Sequence, residues 1–253
     1  MKLLASDFDG TLLLHPRQDE NIILEEDKKA IQQFQKAGNL FGVCTGRGLD
    51  GIVKWCEDVK FDFYITNSGA IIYDKDHHII AAHYLQKSLI EKIMDHFSEK
   101  ICCTFVYQGK MYVKNPNKQY PPRIETVENL DSFEDDFEAF SMHFEEDVEK
   151  TTAIRQEIEA CFGQEIAVYQ NIDNIDMCAK GCSKGNGIQT IQHYFHLEDD
   201  DIHAIGDSWN DIPMFEACKN SFTFWRSPED VQAKTRYQVE TIANCIAQIM
   251  ANQ

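Results

Sequence analysis

Three times within the first seventy residues an apolar run stops in a polar turn. Leu3-Leu4-Ala5 ends in Ser6-Asp7-Phe8-Asp9-Gly10-Thr11. Leu40-Phe41-Gly42-Val43-Cys44 ends in Thr45-Gly46-Arg47-Gly48, and Phe61-Asp62-Phe63-Tyr64-Ile65 ends in Thr66-Asn67-Ser68-Gly69. Between these runs the spacing is helical. Ala30, Ile31, Phe34 and Ala37 recur at the helical period, and Gly38 suits the position just past a helix end. A second helix is expected over residues 49–59. Short buried strands alternating with helices build a parallel sheet covered on both faces. All strands of such a sheet end at one edge, which is where ligands bind. A single polar turn is ordinary loop chemistry. Three on one edge describe a site, and the two-residue period of a strand puts Asp7 and Asp9 on the same side.

From Ala70 the character changes. Ala70-Ile71-Ile72-Tyr73 and His78-Ile79-Ile80 flank Asp74-Lys75-Asp76-His77, a hairpin pattern. Ser88-Leu89-Ile90-Glu91 reads as a capping box opening a helix that runs to about residue 100. Strands are expected over 101–107, 111–114, 139–144, 165–169 and 174–178, with a helix over 148–162. This section reads as hairpins with two helices on one face of an antiparallel sheet, an inserted α+β domain. The alternating pattern then returns. Lys184-Gly185-Asn186-Gly187 opens a helix, and Asp201-Ile202-His203-Ala204-Ile205 is a buried strand ending in Gly206-Asp207-Ser208-Trp209-Asn210-Asp211. Ser221-Phe222-Thr223-Phe224-Trp225 is a further strand, and a helix over 241–250 closes the chain.

The formal net charge of −18 over 253 residues argues against nucleic acid or an anionic membrane surface as partner. It leaves room for a small anionic substrate, since a bound cation overrides a global field locally. No apolar run approaches the roughly 20 residues that span a bilayer. Met1-Lys2-Leu3-Leu4 runs into charged residues without an export signal, so a cytoplasmic protein is expected. Its nine cysteines are then reduced thiols. Cys178, Cys182, His193 and His196 have too short a spacer for a zinc finger.

The strand-end residues are Asp7, Asp9, Thr45, Lys184, Asp207, Asn210 and Asp211. Four carboxylates beside one lysine need a cation. Oxygen donors without histidine or cysteine favour a hard one, and Mg²⁺ suits few carboxylates plus a substrate phosphate. A lysine, a hydroxyl and loop amides at a helix start cradle phosphate. Aspartate can serve as a nucleophile through an aspartyl-phosphate. The chemistry these residues suit is Mg²⁺-assisted phosphoryl transfer.

Asp7-Phe8-Asp9-Gly10-Thr11, Thr45-Gly46-Arg47, Lys184 and Gly206-Asp207-Ser208-Trp209-Asn210-Asp211, in that order, resemble the four motifs of the haloacid dehalogenase superfamily. Thr66-Asn67-Ser68-Gly69-Ala70 and Gly181-Cys182-Ser183-Lys184-Gly185 resemble its Cof-type subfamily. The resemblance implies an α/β fold: a Rossmann-like three-layer core with a parallel sheet over residues 1–81 and 179–253, and an inserted α+β cap domain over 82–178. It implies that Asp7 is the nucleophile and a metal ligand. Asp9 would be the general acid and base, with its backbone carbonyl on the metal. Thr45, Gly46, Lys184 and Asn210 would hold the phosphoryl group. Asp207 would bind Mg²⁺, and Asp211 would support the metal or orient Lys184. Arg47 is as well explained by a structural contact as by substrate. The implied activity is hydrolysis of a small phosphomonoester, a sugar phosphate foremost. Phosphohexomutase chemistry and non-catalytic binding of a phosphorylated metabolite stay open as alternatives, as does the choice between monomer and homodimer. Phe222-Thr223-Phe224-Trp225-Arg226-Ser227 departs from the small-residue segment usual in the family.

Overall fold

A computed structural model describes residues 1–17, 20–56, 58–97 and 100–251. In chain order it begins with β1 (Leu3–Ser6), β2 (Leu14–Arg17), β3 (Glu20–Ile22), α1 (Glu25–Lys36), β4 (Leu40–Cys44), α2 (Leu49–Val53), β5 (Phe63–Thr66), β6 (Ile71–Asp74) and β7 (Ile79–Ala82). Next come α3 (Lys87–His96), β8 (Cys102–Tyr107), β9 (Lys110–Lys114), β10 (Glu125–Thr126), β11 (Ala139–His143), α4 (Val148–Phe162), β12 (Ile166–Asn171) and β13 (Asn174–Ala179). Last are α5 (Lys184–Tyr194), β14 (Ile202–Ile205), α6 (Ile212–Glu216), β15 (Asn220–Phe224), α7 (Glu229–Gln232), β16 (Tyr237–Val239) and α8 (Ile242–Ala251). The chain divides into two compact units. One comprises Met1–Arg47, Gly51–Ala81 and Ser183–Gln253, the other Gly48–Asp50 and Ala82–Cys182.

The first unit is built on an eight-stranded sheet ordered β16-β15-β14-β1-β4-β5-β6-β7. It is parallel from β16 through β5, and β6 runs antiparallel to β5. All four residues of β1, β5 and β14 are buried, which is why these strands read as unbroken apolar runs rather than alternating ones. Leu3 and Ala5 join Ile188 and Ile191 of α5 and Met214 and Phe215 of α6 in one core. α1 packs on α8 and on β4. The result is the three-layer α/β core that the alternation implies. The direction of winding reverses at β1, whose neighbours are β4 on one side and β14 on the other. Open α/β sheets bind ligands beyond the strand ends at such a point.

Asp27, in the first turn of α1, is 2% exposed, and its Oδ1 accepts a hydrogen bond from the Ala243 amide at the start of α8. Burial pushes its carboxyl from 3.8 up to about 6. The folded state thus binds this proton more tightly than the unfolded chain, and stability is lost as pH rises from about 4 to 6. An asparagine can still accept from Ala243 but carries no charge. Asp27→Asn is therefore expected to flatten the fall in melting temperature between pH 4 and 7. It should be the more stable protein at pH 7, by up to about 3 kcal/mol. Parallel melting curves for the two proteins would show that Asp27 titrates alike in both states.

The second unit carries a six-stranded sheet ordered β10-β9-β8-β11-β13-β12, antiparallel except for the short β10–β9 pair. Leu89, Ile90 and Ile93 of α3 and Ile154 and Ile158 of α4 share a core with Phe105, Phe140, Met142 and Met177. The intervening strand residues are polar: the Thr104 hydroxyl lies 2.9 Å from His143 Nε2, and the Ser141 hydroxyl donates to Asp176. The Asp147 side chain accepts from the Lys150 amide and opens α4.

Several local expectations change. α3 starts at Lys87, so Ser88 is no cap; the Lys87 amide donates instead to Asp136 Oδ1. α3 ends at His96 rather than near residue 100, and residues 98–99 lie outside the described ones. α2 stops at Val53, where residues 49–59 were expected to be helical; residue 57 lies outside the described ones. The nine cysteines are free thiols, all but Cys161 buried. Among the described residues, neither group of side chains able to hold a metal includes Cys178, Cys182, His193 or His196.

Candidate active site

The residues singled out at the strand ends all belong to the first unit. β1 ends at Ser6, and the Asp7 amide donates to the Ile205 carbonyl across the junction with β14. Gly10 then turns the chain at φ +79°. A Cβ there would stand 2.7 Å from Asp207 Oδ2, so any side chain at this position would push Asp207 away. The Thr11 hydroxyl donates to Asp207 Oδ1 at 2.6 Å. Ser208 and Asp211 form a capping box over the turn after β14. Asp211 Oδ2 thereby accepts from the amides of Asp207 and Ser208 at 2.9 and 3.1 Å.

Lys184 is the first residue of α5, where a helix dipole disfavours a cation. It is 3% exposed, and two carboxylates hold it. Nζ donates to Asp7 Oδ1 at 2.5 Å and to Asp211 Oδ1 at 2.6 Å. Burial alone would lower its proton affinity; Asp211 and Asp7 reverse this and hold it protonated. Burial and the Asp211 charge push Asp7 well above the usual carboxylate range, against the pull of Lys184. Burial also raises Asp207, opposed by the Thr11 hydrogen bond. Oxygens of Asp7, Asp207 and Asp211 all lie within 4.8 Å of one another. Three carboxylates against one ammonium leave negative charge that a hard divalent cation fits, since every donor is oxygen.

Asp9 corrects one expectation. Its carboxylate does not join the other three. The period-two rule fails because the strand has already ended: Phe8 is buried, and Asp9 turns outward with its side chain 42% exposed. Arg47 grips it in a two-pronged ion pair, Nε on Oδ2 at 2.7 Å and Nη2 on Oδ1 at 2.5 Å, while Nη1 donates to the Gly51 carbonyl. His15 Nε2 stands 3.2 Å from Asp9 Oδ1, and its Nδ1 faces Asn21. Arg47 is thus a partner of Asp9.

Thr45 is buried at the end of β4, and its hydroxyl accepts from the Arg47 amide. The Ser68 amide donates to the Thr45 carbonyl and the Asn67 amide to the Arg47 carbonyl, which lock the second turn onto the third. A Cβ at Gly46 would meet only the Ser68 hydroxyl, at 3.6 Å. Asn210 sits in the turn after Asp207, its Oδ1 accepting from Ser208. Three residues at the site had no role in the sequence reading: Thr11, His15 and Arg226. Arg226 Nη2 donates to the Gly10 carbonyl at 2.6 Å. Thr11 carried a signal as the last residue of Asp7-Phe8-Asp9-Gly10-Thr11, and Arg226 as part of the departing segment 222–227; His15 carried none.

The sequence model of the haloacid dehalogenase-like hydrolases matches residues 4–250. A Bacillus subtilis protein named 5-amino-6-(5-phospho-D-ribitylamino)uracil phosphatase YwtE is 23% identical, with 100% of this chain and 99% of that protein aligned. Its Escherichia coli counterpart in name, YbjI, is 25% identical over 94% of this chain and 90% of its own length. Among solved structures, the subclass IIB sugar phosphatase BT4131 superposes with a TM-score of 0.81 at 21% identity, covering 100% of this chain and 98% of its own. A HAD/COF-like hydrolase from Plasmodium vivax gives 0.84 at 17% identity, covering 100% and 96%. A match that runs from β1 into α8 takes in both units, and the chain belongs to the haloacid dehalogenase-like hydrolases.

Proposed function

We propose that this protein is a Mg²⁺-dependent cytoplasmic phosphatase that hydrolyses a small phosphomonoester through an aspartyl-phosphate on Asp7. The observation that carries the reading is the buried Asp7–Lys184–Asp211 row with Asp207 beside it. A carboxylate aimed at the sheet edge, with its charge met by an ammonium, is a nucleophile kept in place. A mere phosphate binder has no use for it.

Asp7, Asp207 and the Asp9 backbone carbonyl would hold Mg²⁺, which supplies neutralisation of the phosphoryl oxygens. Lys184, the Thr45 hydroxyl, the Gly46 amide and Asn210 hold the remaining oxygens. Asp7 attacks phosphorus with one carboxylate oxygen, and the bond from phosphorus to the substrate oxygen breaks. Asp9 gives that oxygen its proton, then takes one from the water that splits the aspartyl-phosphate. For this, Asp9 leaves the half-buried, two-pronged Arg47 fork.

The named relatives act on a phosphoribityl compound and on sugar phosphates. A phosphate ester of a sugar or sugar-like alcohol is the substrate class we assign. Among the described residues no helix is long and apolar enough to cross a membrane. Assaying inorganic phosphate release over a panel of sugar phosphates, ribitylaminopyrimidine phosphates and nucleotides tests the reading. Exhaustive chelation is expected to abolish release and Mg²⁺ to restore it. Ca²⁺ should restore it poorly, because its looser coordination misplaces the nucleophile. Release that survives chelation would remove the metal, and an isomeric sugar phosphate as product would remove hydrolysis.

A further inference from the structure

β15 ends at Phe224, and the chain leaves the sheet through Trp225 and Arg226 at the edge that carries Asp207. The Arg226 guanidinium is fixed on two sides. Nη2 donates to the Gly10 carbonyl at 2.6 Å, and Cζ lies 3.7 Å above the centre of the buried Phe224 ring. Gly10 is also the residue that packs against Asp207, with no room for even a methyl group between them. One peptide thus joins the guanidinium to the carboxylate, close enough for each charge to act on the other.

The charges around this point have a consequence for binding. Asp7, Asp207 and Asp211 oppose Lys184 alone, and one divalent cation would bring the four groups to neutrality. A phosphate dianion gains little from a neutral centre. A further fixed positive charge makes the loaded centre positive, and it also repels the divalent cation. We propose that Arg226 is a positioning residue that tunes this centre, weakening divalent-cation binding and strengthening the hold on the phosphate dianion. The inference rests on the metal reading above.

Its signature is two shifts of opposite sign. Arg226→Met, and Arg226→Gln as a second neutral variant, should bind Mg²⁺ about fivefold more tightly than the wild type. At saturating Mg²⁺ they should bind inorganic phosphate about fivefold more weakly. The factor is the ~1 kcal/mol expected of a partly exposed charge. Raising salt from 0.05 to 0.5 M should shrink both differences. Arg226→Lys keeps the charge and should restore both affinities to within about twofold of the wild type. Isothermal titration calorimetry with Mg²⁺ alone and then with phosphate measures all four proteins without turnover. A residue that merely braced the Gly10 turn would weaken both ligands when removed, and that result overturns the inference. So do unchanged affinities, or a lysine variant that behaves like the neutral ones. In each of these cases Mg²⁺ binding by the wild type leaves the metal reading standing. A wild type that binds no Mg²⁺ removes both.

Discussion

Asparagine at Asp9 is expected to stall the enzyme as a phosphoprotein. When Asp7 attacks phosphorus, the departing alkoxide of a sugar is a strong base and needs a proton. In the proposed mechanism Asp9, once released from Arg47, gives it, and later activates the water that frees Asp7. General acid–base help of this kind is worth roughly 10²–10⁴-fold. Asparagine keeps the shape and the backbone carbonyl but neither donates nor accepts that proton. Both steps should therefore slow with sugar phosphates. A nitrophenyl ester leaves without a proton, so Asp7 is still phosphorylated while its hydrolysis lags. Intact-mass spectrometry after rapid acid quench should show a phosphoryl adduct on Asp9→Asn. Asp7→Asn has no nucleophile, should show no adduct, and should lose on the order of 10⁴-fold or more in turnover. Wild-type rates on sugar phosphates for Asp9→Asn would sink the assignment of that residue. An adduct on Asp7→Asn as large as that on Asp9→Asn would sink the nucleophile.

Methionine at Lys184 is expected to be the most destabilising single change at the site. It removes the ammonium from between Asp7 and Asp211, which are 4% and 0% exposed. Breaking a buried ion pair on one side leaves uncompensated charge and typically costs about 3–5 kcal/mol. In a chain of this length that is a fall of on the order of 10 °C in melting temperature. Mg²⁺ at the proposed site would bind only the folded protein and should return part of the loss. Adding Asp211→Asn to Lys184→Met should also return part, by removing one of the stranded charges. Calorimetric melting of the three proteins, with and without Mg²⁺, measures this. A single variant that melts within about 2 °C of the wild type would mean that the three groups do not act as a charged unit.

The core sheet was legible because its strands are buried on both faces. Leu3-Leu4-Ala5 and Phe63-Tyr64-Ile65 carry no polar interruption, and each is cut off by a turn rich in small polar residues. Short pieces without such runs escaped. The hairpin of β2 and β3 contains Pro16 and polar residues, and α7 and β16 are four and three residues long. The Ser88 box failed because its competitor, Asp136, is remote in sequence. The same limit applies at the site. Asp7, Lys184, Asp207 and Asp211 could be picked out singly because each closes or opens an element. That Arg47 holds Asp9, or that Arg226 reaches Gly10, follows from the meeting of segments 38 and 216 residues apart, which no local pattern encodes.

The place of β1 in its sheet also bears on how the chain is made. One flank of β1 pairs with β4, which follows it closely, but the other waits for β14, which begins only at Ile202. At about 5–20 residues per second, a ribosome leaves that flank open for on the order of ten seconds while the intervening segment is synthesised. Until then Leu3, Leu4 and Ala5 present unpaired amides and carbonyls beside apolar side chains, the kind of edge that recruits foreign strands. Asp7 meanwhile lacks Asp207, and for most of that time Lys184 as well. Nascent chains halted before Ile202 should therefore be inert and sticky at once, and the core sheet closes only after β14 has left the ribosome.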